Sequence, residues 1–257
     1  MVSRELVYGV LLLIATILSA ISFLCVGTLN CEAFDESQSK WKRIKKEGEV
    51  EVFSRKVEGL DFKEYKGATQ IQTSLASLVS LMDDTSAYTS WLHFCDYAKL
   101  IRQISRTERY LYLVYDVSSV PWVKDRDMVI HSHAFQNPED ETIIIKLKGV
   151  SLSELSNLHE RPDFTRKPGA VRIKQFRASW TFTPVENSYV EVIYQLYVDA
   201  APSRLVKWRF GSVMEELTYR TLRKMREAVN KARYRESNPD IIKEIPRWEP
   251  HLINSNR

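Results

Sequence analysis

The sequence predicts an α+β domain in which a long, curved antiparallel β-sheet wraps around one long C-terminal α-helix. Three observations carry this. Between residues 109 and 199 the chain passes through successive stretches where apolar and polar residues alternate, the period of half-buried strands. After Pro202 the period becomes helical and stays so to about Arg233. The composition is 44% hydrophobic and 11% aromatic with 8 Gly and 9 Pro, which leaves roughly 200 residues for one domain with a sizeable core once an apolar N-terminus is set aside.

Taken in order, Asp35 to Glu47 is expected to form a short amphipathic helix, with Trp41 and Ile44 on one side and lysines on the other. Val50 to Val57 and Phe62 to Gln72 alternate as strands about a turn at Glu58-Gly59. Ser74 is placed to cap a helix starting at Leu75, whose apolar stripe is Leu78, Val79, Leu81 and Met82. A second helical stretch runs through Tyr88 to Trp91, and Cys95 is read as lying in the same helix-rich segment. Strands are expected at Arg109 to Val117, Met128 to Phe135, Thr142 to Val150, Val171 to Phe182 and Tyr189 to Asp199. Asn137-Pro138 and Pro184 to Ser188 supply turns, and Ser151 to Gly169 is a longer connection. Pro202 is tolerated in a first helical turn, and 236–257 is a proline-bearing tail.

Side chains alternate across a strand, so each strand assigns its own faces. Val190, Val192, Tyr194, Leu196 and Val198 must point inward, opposite Glu191, Ile193, Gln195 and Tyr197. Ile143, Ile145 and Leu147 oppose Ile144, Lys146 and Lys148. Met128, Ile130, Ser132 and Ala134 oppose Asp127, Val129, His131 and His133. The last helix carries Val206, Phe210, Val213, Met214, Leu217, Leu222 and Met225 on one side and Arg220, Arg223, Lys224, Arg226, Lys231 and Arg233 on the other. Such a sheet closing on one helix is the helix-grip arrangement, and it encloses more volume than the helix fills, leaving room for a hydrophobic tunnel.

From Leu6 to Leu29 the chain carries no charge. Its length favours a membrane anchor, because a secretory signal core needs only about 7–15 apolar residues and a spanning helix about 20. The small residues Cys31 and Ala33 permit cleavage. Residues 1–33 are therefore expected to be a signal peptide or anchor, ahead of a domain at 34–235. Lys40, Lys42, Arg43, Lys45 and Lys46 would hold a following segment in the cytoplasm. They are assigned instead to the folded domain, which is expected to be exported, periplasmic or otherwise extracytoplasmic.

The formal charge of +4 suits anionic lipid headgroups and is too weak to argue for nucleic acid, none of whose motifs is present. Cys25 and Cys31 lie in or beside the apolar N-terminus, so Cys95 stands alone in the domain and is read as a structural thiol. His131 and His133 at i, i+2 form a metal pair only with a third ligand, and none has an obvious spacing. Arg126-Asp127 is read as a turn-fixing pair in preference to a ligand clamp.

Several segments in order resemble a known family. Trp91 followed by Leu100-Ile101-Arg102-Gln103-Ile104 resembles a Trp segment leading to "V-I-E-x-I". Pro121-Trp122-Val123-Lys124-Asp125-Arg126-Asp127 is similar to a "P-W-P-V-x-x-R-D" turn, Gly169-Ala170-Val171-Arg172 to "G-x-V-R", and Trp180 to Pro184 to a strand exit. Val198-Asp199 before Pro202 resembles "D-P-x-G-x-x-P", with Ala200-Ala201 replacing the small-Gly step. Over about residues 35 to 233 the chain thus resembles a START (StAR-related lipid transfer) domain, bacterial-type, of the helix-grip or Bet v 1-like superfamily.

The resemblance implies a lipid-binding protein that holds one hydrophobic ligand in an internal tunnel for transfer or sensing, with no catalytic residue, no cofactor and no metal. The implied ligand-binding residues are Leu111, Leu113, Tyr115, Met128, Ile130, Ser132, Ile145, Gln175, Trp180, Phe182, Tyr194, Phe210, Met214 and Leu217, with Ser132, Gln175 and Tyr194 as the polar groups. Sterol-binding members carry a buried acid and a buried arginine on adjacent strands; the matching positions here are Leu113 and Ser132. Asn137-Pro138-Glu139-Asp140 is implied to cover the tunnel mouth. The basic side of the last helix is read as a charged solvated face in preference to a dock for anionic membrane, where each cation would contribute about 1 kcal/mol, and a membrane surface is an expected partner. The alternative is an enzyme of the polyketide aromatase/cyclase type, which needs an inward acid or base. A third reading is a membrane-tethered sensor.

Overall fold

The structure is a computed structural model and describes residues 40–117, 123–151, 154–155, 166–200, 209–238 and 242. The N-terminal apolar segment, Pro121, Trp122, Pro202, Val206 and most of the tail lie outside the described residues.

The strands are β1 (Lys42–Glu47), β2 (Val50–Arg55), β3 (Glu64–Gln72), β4 (Cys95–Gln103), β5 (Glu108–Tyr115), β6 (Arg126–Gln136), β7 (Ile143–Val150), β8 (Val171–Arg172), β9 (Gln175–Val185) and β10 (Tyr189–Asp199). The helices are α1 (Leu75–Asp83), α2 (Tyr88–Trp91), α3 (Phe210–Ala228) and α4 (Ala232–Arg235). The sheet runs β1-β2-β3-β10-β9-β7-β6-β5-β4, with β8 paired to β6 off this path. Neighbours on the path are antiparallel, and β8 runs parallel to the start of β6. A twisted sheet this wide curls, and helices cover its inner side.

The inner faces follow the alternation. Val190, Val192, Tyr194, Leu196 and Val198 of β10 are all buried, and so are Ile143 and Ile145 of β7. α3 packs on β2 and β3. Gly67 of β3 is the point of closest approach: a Cβ there would lie 2.5 Å from Leu222 Cδ1 and 2.8 Å from Thr218 Cγ2. Over the other half of the sheet sits α1, capped as expected by Ser74, whose Oγ accepts from Ser77 N at 3.1 Å. Arg109 of β5 holds the end of α1 through Asp83 Oδ1 at 2.5 Å, and Tyr88 Oη donates to Met82 O at 2.7 Å.

Three expectations are corrected. Lys42–Glu47 is a strand and not part of a helix. Gly48, at φ +57°, takes the left-handed turn that folds β1 back onto β2, and Glu51 draws in Arg43 and Lys46 across the pair at 3.2 and 2.9 Å. Trp41 lies under the cations of Arg55 and Lys66, at 4.5 and 4.8 Å. Trp41 and Ile44 satisfy a helical spacing, but in a six-residue segment the turn decides. Cys95, in turn, opens β4 and does not sit in a helix. The expected strand Val171 to Phe182 is also interrupted at Ile173-Lys174, where β8 leaves β6 and β9 joins β7.

Candidate ligand cavity

The inward residues at one end of the sheet do not meet. Tyr115 at the end of β5, Arg126 and Met128 at the start of β6, Phe176 on β9, and Tyr194, Leu196 and Val198 on β10 face the first turns of α3, which contribute Phe210, Val213, Met214 and Leu217. They enclose a space that is partly open to solvent. Phe94 joins the wall from a left-handed backbone position, φ 65°, uncommon for an aromatic residue. The bond from Asp116 N to Phe94 O, 2.8 Å, helps hold it there.

The wall is almost wholly apolar. Its polar groups among the described residues are Tyr115, Tyr194, Arg126 and Arg209. Burial pushes both tyrosine hydroxyls above their usual range, so neither is a base at neutral pH. Tyr115 and Arg126 are cross-strand partners on one rung of β5 and β6. Arg126 is buried, and its Nε donates to Ala200 O at 2.7 Å, tying the start of β6 to the end of β10.

Of the residues implied to bind ligand, Tyr115, Met128, Tyr194, Phe210, Met214 and Leu217 lie on this wall. Leu111, Leu113, Ile130, Ile145, Trp180 and Phe182 are instead packed into the core. Trp180 stacks on Tyr194 at 3.9 Å and meets Trp91 edge-on at 5.9 Å, so the aromatic residues fill the middle of the sheet's inner side. Ser132, with Ile145, borders a separate small recess beside Arg109 and the end of α1. Gln175 is exposed on the outer side of β9, where Phe176 is the inward residue.

Leu113 faces Met128 and Ser132 faces Arg109, four rungs apart, so the two positions matched to the family's acid and arginine do not oppose each other. Asn137 to Asp140 lies beyond the far end of β6, roughly 35 Å along the strand from Arg126 at about 3.3 Å per residue, and none of it borders the cavity.

Sequence reasoning missed Arg126, Val123, Phe94, Ile173 and Phe176 as wall residues. Arg126 and Asp127 do not act as a pair: they project from opposite faces of β6. Asp127 is fully buried on the outer face, where Arg166 Nε and Arg172 Nη2 reach its Oδ2 at 2.8 and 3.0 Å and Tyr112 Oη donates at 3.1 Å. His131 Nε2 lies 2.7 Å from Glu108 Oε1. Burial raises the Cys95 thiol to about 12, which leaves it protonated and unreactive at neutral pH. The cations of α3 are partly engaged: Arg220 with Glu216, and Arg226 with Thr69 Oγ1 at 2.9 Å. After the helix, Arg233 pairs with Asp84 at 3.3 Å.

No family model matches the chain. An uncharacterized protein of Pseudomonas aeruginosa is 28% identical over 192 residues, 74% of this chain and 87% of that relative. Solved structures superpose on the whole domain. A StAR-related lipid transfer protein fragment from Xanthomonas axonopodis matches with a TM-score of 0.60 and 24% identity, covering 74% of this chain and 99% of that one. The fold is that of a START domain. Human StAR-related lipid transfer protein 5 shares it at a TM-score of 0.62 and 17% identity over 77% of this chain and 90% of that one. Human STARD10 does so at 0.60 and 17%, over 75% and 74%. In this START fold the cavity lies where the helix meets the sheet, and no helix of the described residues is long and apolar enough to cross a membrane.

Proposed function

We propose that this protein binds one lipid in the cavity, shields it from water, and performs no chemistry on it. The observation that carries this is the wall itself: a space lined by aliphatic and aromatic side chains, with two arginines and two protonated tyrosines as its polar groups among the described residues. Among the described residues it presents no carboxylate, histidine or thiol to serve as an acid, base or nucleophile. The START fold supports the same reading, since structures sharing it are named lipid transfer proteins. Apolar burial at about 25 cal/mol per Å² then supplies most of the affinity, less the cost of immobilising the lipid. The domain exchanges its lipid at a membrane surface, and the uncharged stretch Leu6 to Leu29 delivers it to the extracytoplasmic side.

The test is to purify the full chain under mild conditions and analyse organic extracts by mass spectrometry. One equivalent of a lipid class per chain is the expected result, with unlabelled lipid from vesicles replacing it. An empty protein that takes up nothing from vesicles ends the reading, and a chemically altered lipid replaces it with an enzyme. Transfer between two vesicle populations separates a carrier from a sensor, which would hold its lipid.

A further inference from the structure

On the lipid-binding reading, the polar groups of the wall select a class of lipid. Arg55, Arg109 and Arg126 are the buried arginines among the described residues. Arg55 has Glu64 at 2.9 Å and Arg109 has Asp83 at 2.5 Å, so each buried charge meets an opposite one. Arg126 is different. It is 8% exposed and borders the cavity, yet its hydrogen bonds to described residues go to main-chain carbonyls: Ala200 O at 2.7 Å, Lys124 O, and Asp125 O at 3.5 Å. Asp125, its neighbour in sequence, is paired with Lys167 at 2.9 Å. Segments 118–122 and 201–208, which adjoin wall residues in the chain, contain no Asp or Glu, and the second contains Arg204 and Lys207.

Neutral carbonyls solvate a guanidinium without neutralising it, and Asp125, the carboxylate that offsets its charge through space, is shared with Lys167, so beside an apolar space the remaining charge favours a bound anion. The remaining wall chemistry agrees. Arg209 adds a second cation. Tyr115 stands across the rung from Arg126, and burial pushes its hydroxyl, like that of Tyr194, above the usual range, so both are protonated at neutral pH. Each can donate a hydrogen bond to an acceptor in the cavity they border.

We propose that the ligand is an acidic lipid whose carboxylate or phosphate headgroup is bound by Arg126 and accepts a hydrogen bond from Tyr115, with its tail against Phe176, Leu196 and Met214. The probes are cis-parinaric acid and its methyl ester, which share a fluorescent tail and differ in headgroup charge. They are titrated into the full chain held in a non-ionic amphipol. The acid is expected to bind about tenfold more tightly than the ester, the scale of one charge-assisted contact. Arg126→Gln should erase that preference by weakening the acid and leaving the ester unchanged.

Oleate and oleoyl lysophosphatidate as competitors distinguish carboxylate from phosphate, and displacement by either supports an acidic headgroup. Equal affinity of acid and ester for the unaltered chain overturns the proposal while leaving lipid binding in place. Binding of neither probe counts against lipid binding itself. The comparison on the unaltered chain decides the matter even if Arg126→Gln fails to fold. Tyr115→Phe, which keeps the ring, should narrow the preference by about threefold.

Discussion

Arg126 and Asp127 are adjacent in the chain and serve opposite faces of β6, so one binds toward the cavity and the other toward an outer network. Asp127 is completely enclosed, and its two oxygens accept from Arg166, Arg172 and Tyr112. Tyr112 Oη in turn accepts from Lys167 N at 2.8 Å. Asp127 thereby fastens 166–172 to the outside of the sheet. Asp127→Ala is expected to cost about 3 kcal/mol by urea denaturation, the lower end for breaking a buried ion pair, because Arg166 and Arg172 keep access to water. In the double variant with Arg172→Ala the losses should fall short of their sum; simple additivity would show that the two side chains are not coupled. Adjacency in sequence suggested one turn-fixing unit. A strand's period of two instead sends consecutive residues to different environments.

At the scale of elements, the position of α3 depends on the missing side chain of Gly67. Helix and strand approach so closely there that Leu222 and Thr218, both fully buried, occupy the space of a Cβ. Gly67→Ala is expected to lose about 2 kcal/mol of stability as the helix is pushed outward, measured by thermal or urea unfolding. A loss under about 0.5 kcal/mol would mean that the helix shifts freely and does not grip the sheet. The strands β5, β6, β7, β9 and β10 were legible because each is long enough to show its alternation, whereas the two-residue β8 was merged with β9. β1 was not, since in a short charged segment a helical and an extended reading place Trp41 and Ile44 equally well, and the left-handed turn at Gly48 decides between them. β4 was hidden for a related reason: it is the edge strand after β5, and residues such as Tyr97 and Leu100 are exposed on it, which blurs the pattern.

For the whole molecule, the N-terminal stretch makes a prediction that the domain does not. With the full chain expressed in cells, protease added after opening the outer envelope should digest the domain while a cytosolic marker survives. Protection until the inner membrane is lysed would place the domain in the cytoplasm instead. By itself the sequence determined the fold class, the order of most strands, their inward faces and the amphipathic helix, because alternation and helical spacing are local consequences of burial on one side. Only the tertiary structure decided which inward residues border a space and which fill one. Trp180 and Tyr194 point to the same side of the sheet, yet Trp180 is packed into the core beside Trp91 and Tyr194 also reaches the cavity. That difference depends on what each side chain meets across the fold: α2 supplies an aromatic partner in the middle of the sheet, and the first turns of α3 stand off from its end. The charge on Arg126 acquires its meaning in the same way. Its main-chain partner at Ala200, and the Lys167 that shares Asp125 with it, belong to chain segments that the local pattern does not connect.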